Sequence, residues 1–310
     1  MGAFICRRAA PRLGAPGKRA PLGGQQAAKR RSVGAFILYY QPTLQSDDTM
    51  AIPRFYCPAD LVSNTTIALP GDTAHHAVRV LRLKDGAGIV LFDGHGGQYP
   101  ATLSIAGKQA FAQLGQHQPA EAELAGHITL VQGLASGEKM DWIVEKAVEL
   151  GAARIIPIAA QRSVLQLSGE RLHKRMDHWR RIVRSASEQC GRNRLLTMEE
   201  PRPLRQYLLD METAPSTVLF CHPGASQTLA EALGALGSSP LGGSKTDISP
   251  NGQAERISLL VGPEGGWSDE EQALMGRHGL TPVTFGQRVL RTETAGLALI
   301  AAVSALRGWQ

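Results

Sequence analysis

Two stretches near the end of the chain hold the residue types that could do chemistry. The first, "LLVGPEGGWSDEE" (259–271), is an apolar run that spills into Gly262, Pro263, Glu264, Gly265 and Gly266. The second, "GQRVLRTETAGLALIAAV" (286–303), sets Arg288, Arg291 and Glu293 directly before a small, apolar segment. A glycine-rich turn at the carboxyl end of a parallel strand lets backbone amides and carbonyls approach a ligand closely, in the crevice where open α/β sheets bind. No GK[ST] follows the glycines and GxGxxG is absent, so neither a P-loop nor a dinucleotide fingerprint is spelled. Ser268 with Glu271 three residues on reads as a capping box. Thr292 or Thr294 is expected to cap the closing helix, where the dipole favours Glu293. A cap alone would need neither Arg288 nor Arg291.

Such turns need a sheet to carry them. From "HITLVQGLA" onward, short apolar strands alternate with helical spacing: "EKMDWIVEKAVELGA", "RIIPIAA", the long basic "GERLHKRMDHWRRIVRSASEQCGR", "STVLFCH", "SQTLAEALGAL", "RISLLVG", "SDEEQALMGRHG", "TPVTFG" and the closing helix. That alternation predicts a parallel sheet with crossover helices. Upstream, from Pro53 to about His117, alternating runs broken by Gly, Pro and Asp predict a small β barrel or sandwich, with "DTAHHAVRVLR" as a helical or turn segment. The expected division is a leader over 1–49, a β-barrel domain over 50–120 and an α/β domain over 121–310. Within the last, 237–255 reads as a low-complexity surface insertion.

The net charge of +6 would suggest a nucleic-acid partner, but residues 1–49 hold eight Lys/Arg against two Asp, and the remainder is balanced at 25 of each sign. Any basic surface on the folded part must therefore be a local patch. The leader is rich in Ala, Gly, Pro and Arg and is expected to be disordered. Its "AFILYY" is too short to span a bilayer and lacks a cleavage site, while a transit peptide and a start assigned too early, with Met50 as the natural beginning, both fit. Cys6, Cys57, Cys190 and Cys221 show no CxxC and no matching His spacing, so neither a zinc site nor a disulfide framework is expected, and reduced thiols imply a cytoplasmic home. Adjacent His75 and His76 point apart on a helix and carry no metal reading.

The pair "LLVGPEGGWSDEE" and "FGQRVLRTETAGLALIAAV", with "EKMDWIVEKAVELGAARIIPI", "SEQCGRNR" and the opening "PRFYCP", resembles the ribosomal RNA small-subunit methyltransferase E family, uracil N3 methyltransferases of the SPOUT superfamily. The likeness runs from about Met50 to the end; only the leader and the insertion depart from it. It implies an α/β class fold: a carboxyl-terminal SPOUT domain whose chain threads a trefoil knot, preceded by a PUA-like barrel. It also implies S-adenosyl-L-methionine as cofactor, 16S ribosomal RNA of the small subunit as partner, a homodimer through the knot, and no metal.

Carried onto this chain, the resemblance implies a cofactor held by Gly262, Pro263, Glu264, Gly265 and Gly266, by Gly286 and by Val289, Leu290, Arg291, Thr292, Glu293 and Thr294, with Phe220 and His222 closing another side. RNA-facing candidates are Arg54, Arg79 and Arg82 on the barrel and Lys139, Lys146, Arg162, Arg184, Arg192 and Arg194 on the catalytic domain, since Lys and Arg supply the phosphate contacts that position an RNA. Direct methyl transfer to uracil N3 needs no covalent step, so Cys190 is read as a small buried residue. Arg291 is the candidate that stabilises charge developing on uracil O2 or O4; no general base stands out. The rivals are ribose 2′-O-methylation of tRNA or rRNA and, outside the enzymes, a non-catalytic RNA-binding assembly factor.

Overall fold

Alternation of apolar and polar residues builds the first half of the molecule. The computed structural model describes residues 52–211, 217–237, 254–280 and 282–309, so the leader and most of the 237–255 insertion lie outside the described residues. Strands β1 (Arg54–Tyr56) and β2 (Thr66–Ala68) lead to a short helix, α1 (Gly71–His75), that runs on as a π-helical turn (His76–Val80). Strands β3 (Gly88–Phe92), β4 (Tyr99–Ala106) and β5 (Gln109–Leu114) follow. They form one five-stranded sheet, ordered β1-β3-β4-β5-β2, antiparallel except for the β1–β3 pair. Period-two side chains such as Phe55, Ile89, Leu91, Leu103 and Ala112 fill its core. The expected helical or turn segment is thus a helix, closed at Arg82 by a left-handed residue with φ 53°.

The second half is a seven-stranded sheet. In chain order its elements are β6 (His127–Gly133), α2 (Lys139–Glu149), β7 (Arg154–Ile158), α3 (Gly169–Cys190), β8 (Thr197–Met198), α4 (Leu204–Met211), β9 (Thr217–Cys221), β10 (Gln227–Thr228), α5 (Leu229–Ala235), β11 (Arg256–Val261), α6 (Asp269–Arg277), β12 (Pro282–Thr284) and α7 (Thr292–Arg307). The strand order is β10-β12-β9-β11-β6-β7-β8, and every neighbouring pair is parallel, as the strand–helix alternation predicted. Helices cover both faces. One core gathers α2, α3, α5 and α7 over Leu130, Ile155 and Leu259; the other sets α4 and α6 over Val131, Ile156 and Leu260. Strands buried on both faces read as the unbroken apolar runs seen in the sequence. Helix α4 and strand β8 have no counterpart in the sequence-based elements, and the two residues of β10 fall inside the expected helix "SQTLAEALGAL".

Two features bring the end of the chain back to its middle. Helix α7 packs on α2, β6 and β11, and beyond its left-handed cap at Gly308 the buried Trp309 ring occupies the space a side chain on Gly126 would need. The barrel and the α/β sheet share a polar seam: Arg54 donates to Asn193 Oδ1 at 2.6 Å, and Glu188 Oε1 accepts from the Tyr56 amide at 2.9 Å.

Candidate active site

Strands β6, β9, β11 and β12 end at the same edge of the sheet, and the loops beyond β9, β11 and β12 surround a cavity of about 550 Å³. That is the size class of a small-molecule site, in the place where open parallel sheets hold ligands. Gly133, which ends β6, is required there: a Cβ on it would fall on the Pro263 backbone nitrogen, so strand and glycine loop touch main chain to main chain. The loop itself turns tightly, with the Gly266 amide donating to Pro263 O at 2.9 Å and Gly266 at φ 67°. Behind it Ser268 and Glu271 form the expected capping box, Ser268 Oγ accepting at 3.1 Å and Glu271 Oε2 at 2.9 Å.

The second loop is tied to the first by Thr292. Its hydroxyl donates to Gly262 O at 2.6 Å and accepts from Gln132 Nε2 at 2.9 Å, linking the loop after β11, the end of β6 and the start of α7. The expectation that Thr292 or Thr294 caps α7 is therefore corrected. The N-cap is Arg291, in extended conformation without a side-chain cap bond, and Thr292 is the first helical residue with its hydroxyl spent sideways.

The polar groups of the cavity fall into two sets. Glu264 is fully engaged: its Oε1 accepts from the Ser136 amide at 3.0 Å, Ser136 Oγ at 2.7 Å and Lys139 Nζ at 3.0 Å. Desolvation opposes its ionisation, but these hydrogen bonds prevail and hold the carboxyl down at about 2. His222 Nδ1 accepts from the Gly224 amide at 3.1 Å. By contrast Trp267 Nε1 and Glu293 Oε2, both on the cavity wall, are buried atoms with no hydrogen-bond partner. Buried polar groups are almost always paired, so a cluster of unpaired ones around a cavity is the mark of a ligand site.

All the predicted cofactor residues line this cavity except Phe220, Gly265, Gly286 and Thr294. Phe220 points into the core beneath α4 and α6. Gly265 O accepts from Arg162 at 3.4 Å, Gly286 O from Thr284 Oγ1 at 3.1 Å, and Thr294 is exposed. Arg291 stands at the mouth with its side chain 84% exposed, 4.0 Å from Glu293 Oε1.

The predicted RNA-facing residues divide more sharply. Lys139 and Arg162 line the cavity. Arg79 and Arg82 are exposed on the barrel, Arg184 lies over the Tyr56 ring at 5.3 Å, and Arg194 pairs with Glu121 at 3.2 Å while staying half-exposed. Lys146 is held between Glu145 and Glu149. Arg192 is a correction: it is only 3% exposed, it bonds Glu123 through two nitrogens at 2.9 and 2.6 Å, and it donates to Val148 O and Ala152 O. No RNA can reach it. Arg54 is likewise turned inward, spent on Gln98 and Asn193. Among the described residues no group of three potential ligands could hold a metal ion, and no helix is long and apolar enough to cross a membrane.

Trp267 on the cavity wall, and Gln132 and Ser136, which hold Thr292 and Glu264 in place, escaped the sequence reading. Gln132 carried a signal: it breaks the apolar run of β6 one residue before Gly133.

The chain matches the RNA methyltransferase domain family over residues 122–304 and the RNA methyltransferase PUA domain family over 69–114. It is 30% identical to ribosomal RNA small subunit methyltransferase E of Bacillus subtilis, over 77% of this chain and 90% of that protein. With the protein of the same name from Synechocystis it shares 30% identity over 86% and 81% of the two chains. Among solved structures, ribosomal RNA small subunit methyltransferase E from Neisseria gonorrhoeae bound to S-adenosyl methionine superposes with a TM-score of 0.70 at 33% identity, covering 83% of this chain and 98% of that one. A Legionella pneumophila methyltransferase with bound S-adenosylmethionine gives a TM-score of 0.72 at 30% identity over 83% and 98%.

Proposed function

We propose that this chain, which belongs to the ribosomal RNA small subunit methyltransferase E family, uses S-adenosyl-L-methionine to methylate N3 of a uridine in the 16S RNA of the small ribosomal subunit. The observation that carries the reading is the cavity at the strand ends, walled by the 262–266 glycine loop and the 288–293 loop, in a chain whose relatives were solved with that cofactor in place. The residues present fit the cofactor. Gly262 and Gly266 put bare backbone on the cavity wall, where a flat ring such as adenine can approach closely.

When bound, the cofactor supplies an electrophilic methyl group on a sulfonium. The chain's own residues must do the rest. Thr292 locks the two loops so that the walls hold one geometry, which is how an enzyme converts binding into alignment. Lys139 and Arg162 at the cavity, with exposed Arg79, Arg82, Arg184 and Arg194, supply cationic positions for phosphates. Arg291 places a guanidinium where negative charge develops on uracil O2 or O4. Arg288 serves phosphate or the dimer contact.

Within this reading residues 50–120 form the RNA-holding PUA-like barrel and 121–310 the SPOUT domain, which threads a trefoil knot and pairs with a second copy through it in the cytoplasm. The test is methylation of small ribosomal subunits that lack the uracil N3 methyl group, with nucleoside mass spectrometry as readout. 3-Methyluridine is the expected product, reduced about 100-fold or more by Arg291→Ala. A 2′-O-methyl product would overturn the assignment of the acceptor.

A further inference from the structure

Methyl transfer to N3 of uracil requires that the imide proton leave, and the sequence offered no group to take it. The cavity narrows the choice. Its titratable side chains are Lys139, Arg162, Cys221, His222, Glu264, Arg288, Arg291 and Glu293. Lys139 donates to Glu264, and all three bonds to Glu264 Oε1 come from that lysine and Ser136, which leaves this carboxylate a very weak base. The Nδ1 lone pair of His222 is occupied by the Gly224 amide, so in the neutral ring its other nitrogen carries the proton. Burial pushes the Cys221 thiol up. The arginines have no lone pair to offer.

Glu293 differs from all of these. Its Oε1 lies at the 4.0 Å limit of an ion pair with Arg291, and its Oε2 is buried and unpartnered. It is fixed at the start of α7, one residue after Thr292, whose hydroxyl reaches Gly262 O; a Cβ on that same Gly262 would lie 3.3 Å from the other orphan, Trp267 Nε1. An empty acceptor on Glu293 and an empty donor on Trp267 thus belong to walls of the same cavity, which Thr292 ties together at Gly262. The imide edge of uracil presents the complement: an N–H donor between two carbonyl acceptors.

We propose that Glu293 is the general base of the reaction and that its Oε2 takes the N3 proton. This rests on the uracil N3 reading above. As the N–H proton passes to Oε2, the freed N3 electron pair forms the bond to the methyl carbon, the carbon–sulfur bond breaks with its pair going to sulfur, and the product is a neutral thioether. The protonated Glu293 then returns its proton to solvent. Arg291, on the carboxylate's other oxygen, steadies the charged form before the proton arrives. The remaining charged and titratable groups that face this site are Glu264 with Lys139 from the first loop and α2, Arg162, Arg288 from the second loop, and His222 with Cys221 after β9.

The experiment compares wild type, Glu293→Gln and Glu293→Asp in the full chain, measuring cofactor affinity by calorimetry and 3-methyluridine formation on unmethylated small subunits between pH 6.5 and 9. Glu293→Gln is expected to bind the cofactor within about threefold of wild type and to lose about 100- to 1,000-fold in single-turnover rate at pH 7, the span of general-base catalysis. Its residual rate should climb about tenfold per pH unit as hydroxide takes over the proton, and Glu293→Asp should recover part of the loss. A Glu293→Gln rate within about threefold of wild type, or an affinity loss of tenfold or more that places the carboxylate on the cofactor, would overturn the proposal. Failure of the wild type to make 3-methyluridine would instead overturn the parent reading, and this one with it.

Discussion

The seam around Arg192 and the cavity around Glu293 both bury charge, and they treat it in opposite ways. Arg192 donates to two carboxylate oxygens and two backbone carbonyls. In the cavity, an indole nitrogen and a carboxylate oxygen are left without partners. A buried polar group that is fully satisfied fixes a structure, whereas one left open stores an interaction for something that arrives later. Residue type does not separate the two regions, since each mixes charged side chains with backbone. Completeness of hydrogen bonding at Arg192 and at Glu293 does.

The largest expected effect breaks the satisfied side. Arg192→Met should cost about 3–5 kcal/mol in chemical denaturation, because it strands the Glu123 carboxylate and takes a donor from the Val148 and Ala152 carbonyls. A loss below about 1 kcal/mol would show that the seam is not held this way. Thr292→Val, on the cavity side, should cost about 1–2 kcal/mol and weaken cofactor binding about tenfold, since it frees Gly262 O and Gln132 Nε2 together; calorimetry with and without cofactor separates the two effects. The smallest effect concerns Glu264. Its folded-state carboxyl titrates at about 2, below the ordinary 4.5, so the stabilisation it provides is full above pH 4.5 and fades as pH falls toward 2. Glu264→Gln should lower stability modestly at neutral pH and flatten the acid-denaturation profile within that window, because the ionisation that adds stability across it is gone.

The two regions also differed in how far the sequence revealed them. The glycine loop and the 288–293 loop were legible because each is local: a run of glycines after an apolar strand, arginines before an apolar helix. Arg192 was not, since its partners Glu123, Val148 and Ala152 lie 40 to 69 residues away, and an arginine beside other basic residues looks the same whether it faces water or the core. Phe220 was misplaced for a related reason. Leu219 and Phe220 enter different cores on opposite faces of the sheet, and a strand buried on both sides gives no alternation to tell which residue faces which way. The fold class, by contrast, was fully written in the alternation of strands and helices, and only the short β8, β10 and α4 fell below its resolution.

The docking of α7 also sets an order in time. Gln132 and Thr292, which join the cavity walls, are separated by 160 residues, and Trp309 closes over Gly126 from still farther along. Contacts of such range form late and slowly, because the entropy of closing the intervening chain must be overcome before they return any energy. During synthesis the barrel and the first strands are complete long before the segment that finishes the pocket has been made. A nascent chain therefore has no binding site to fill, and the cofactor, which can act only on the finished fold, stabilises the molecule at its last step.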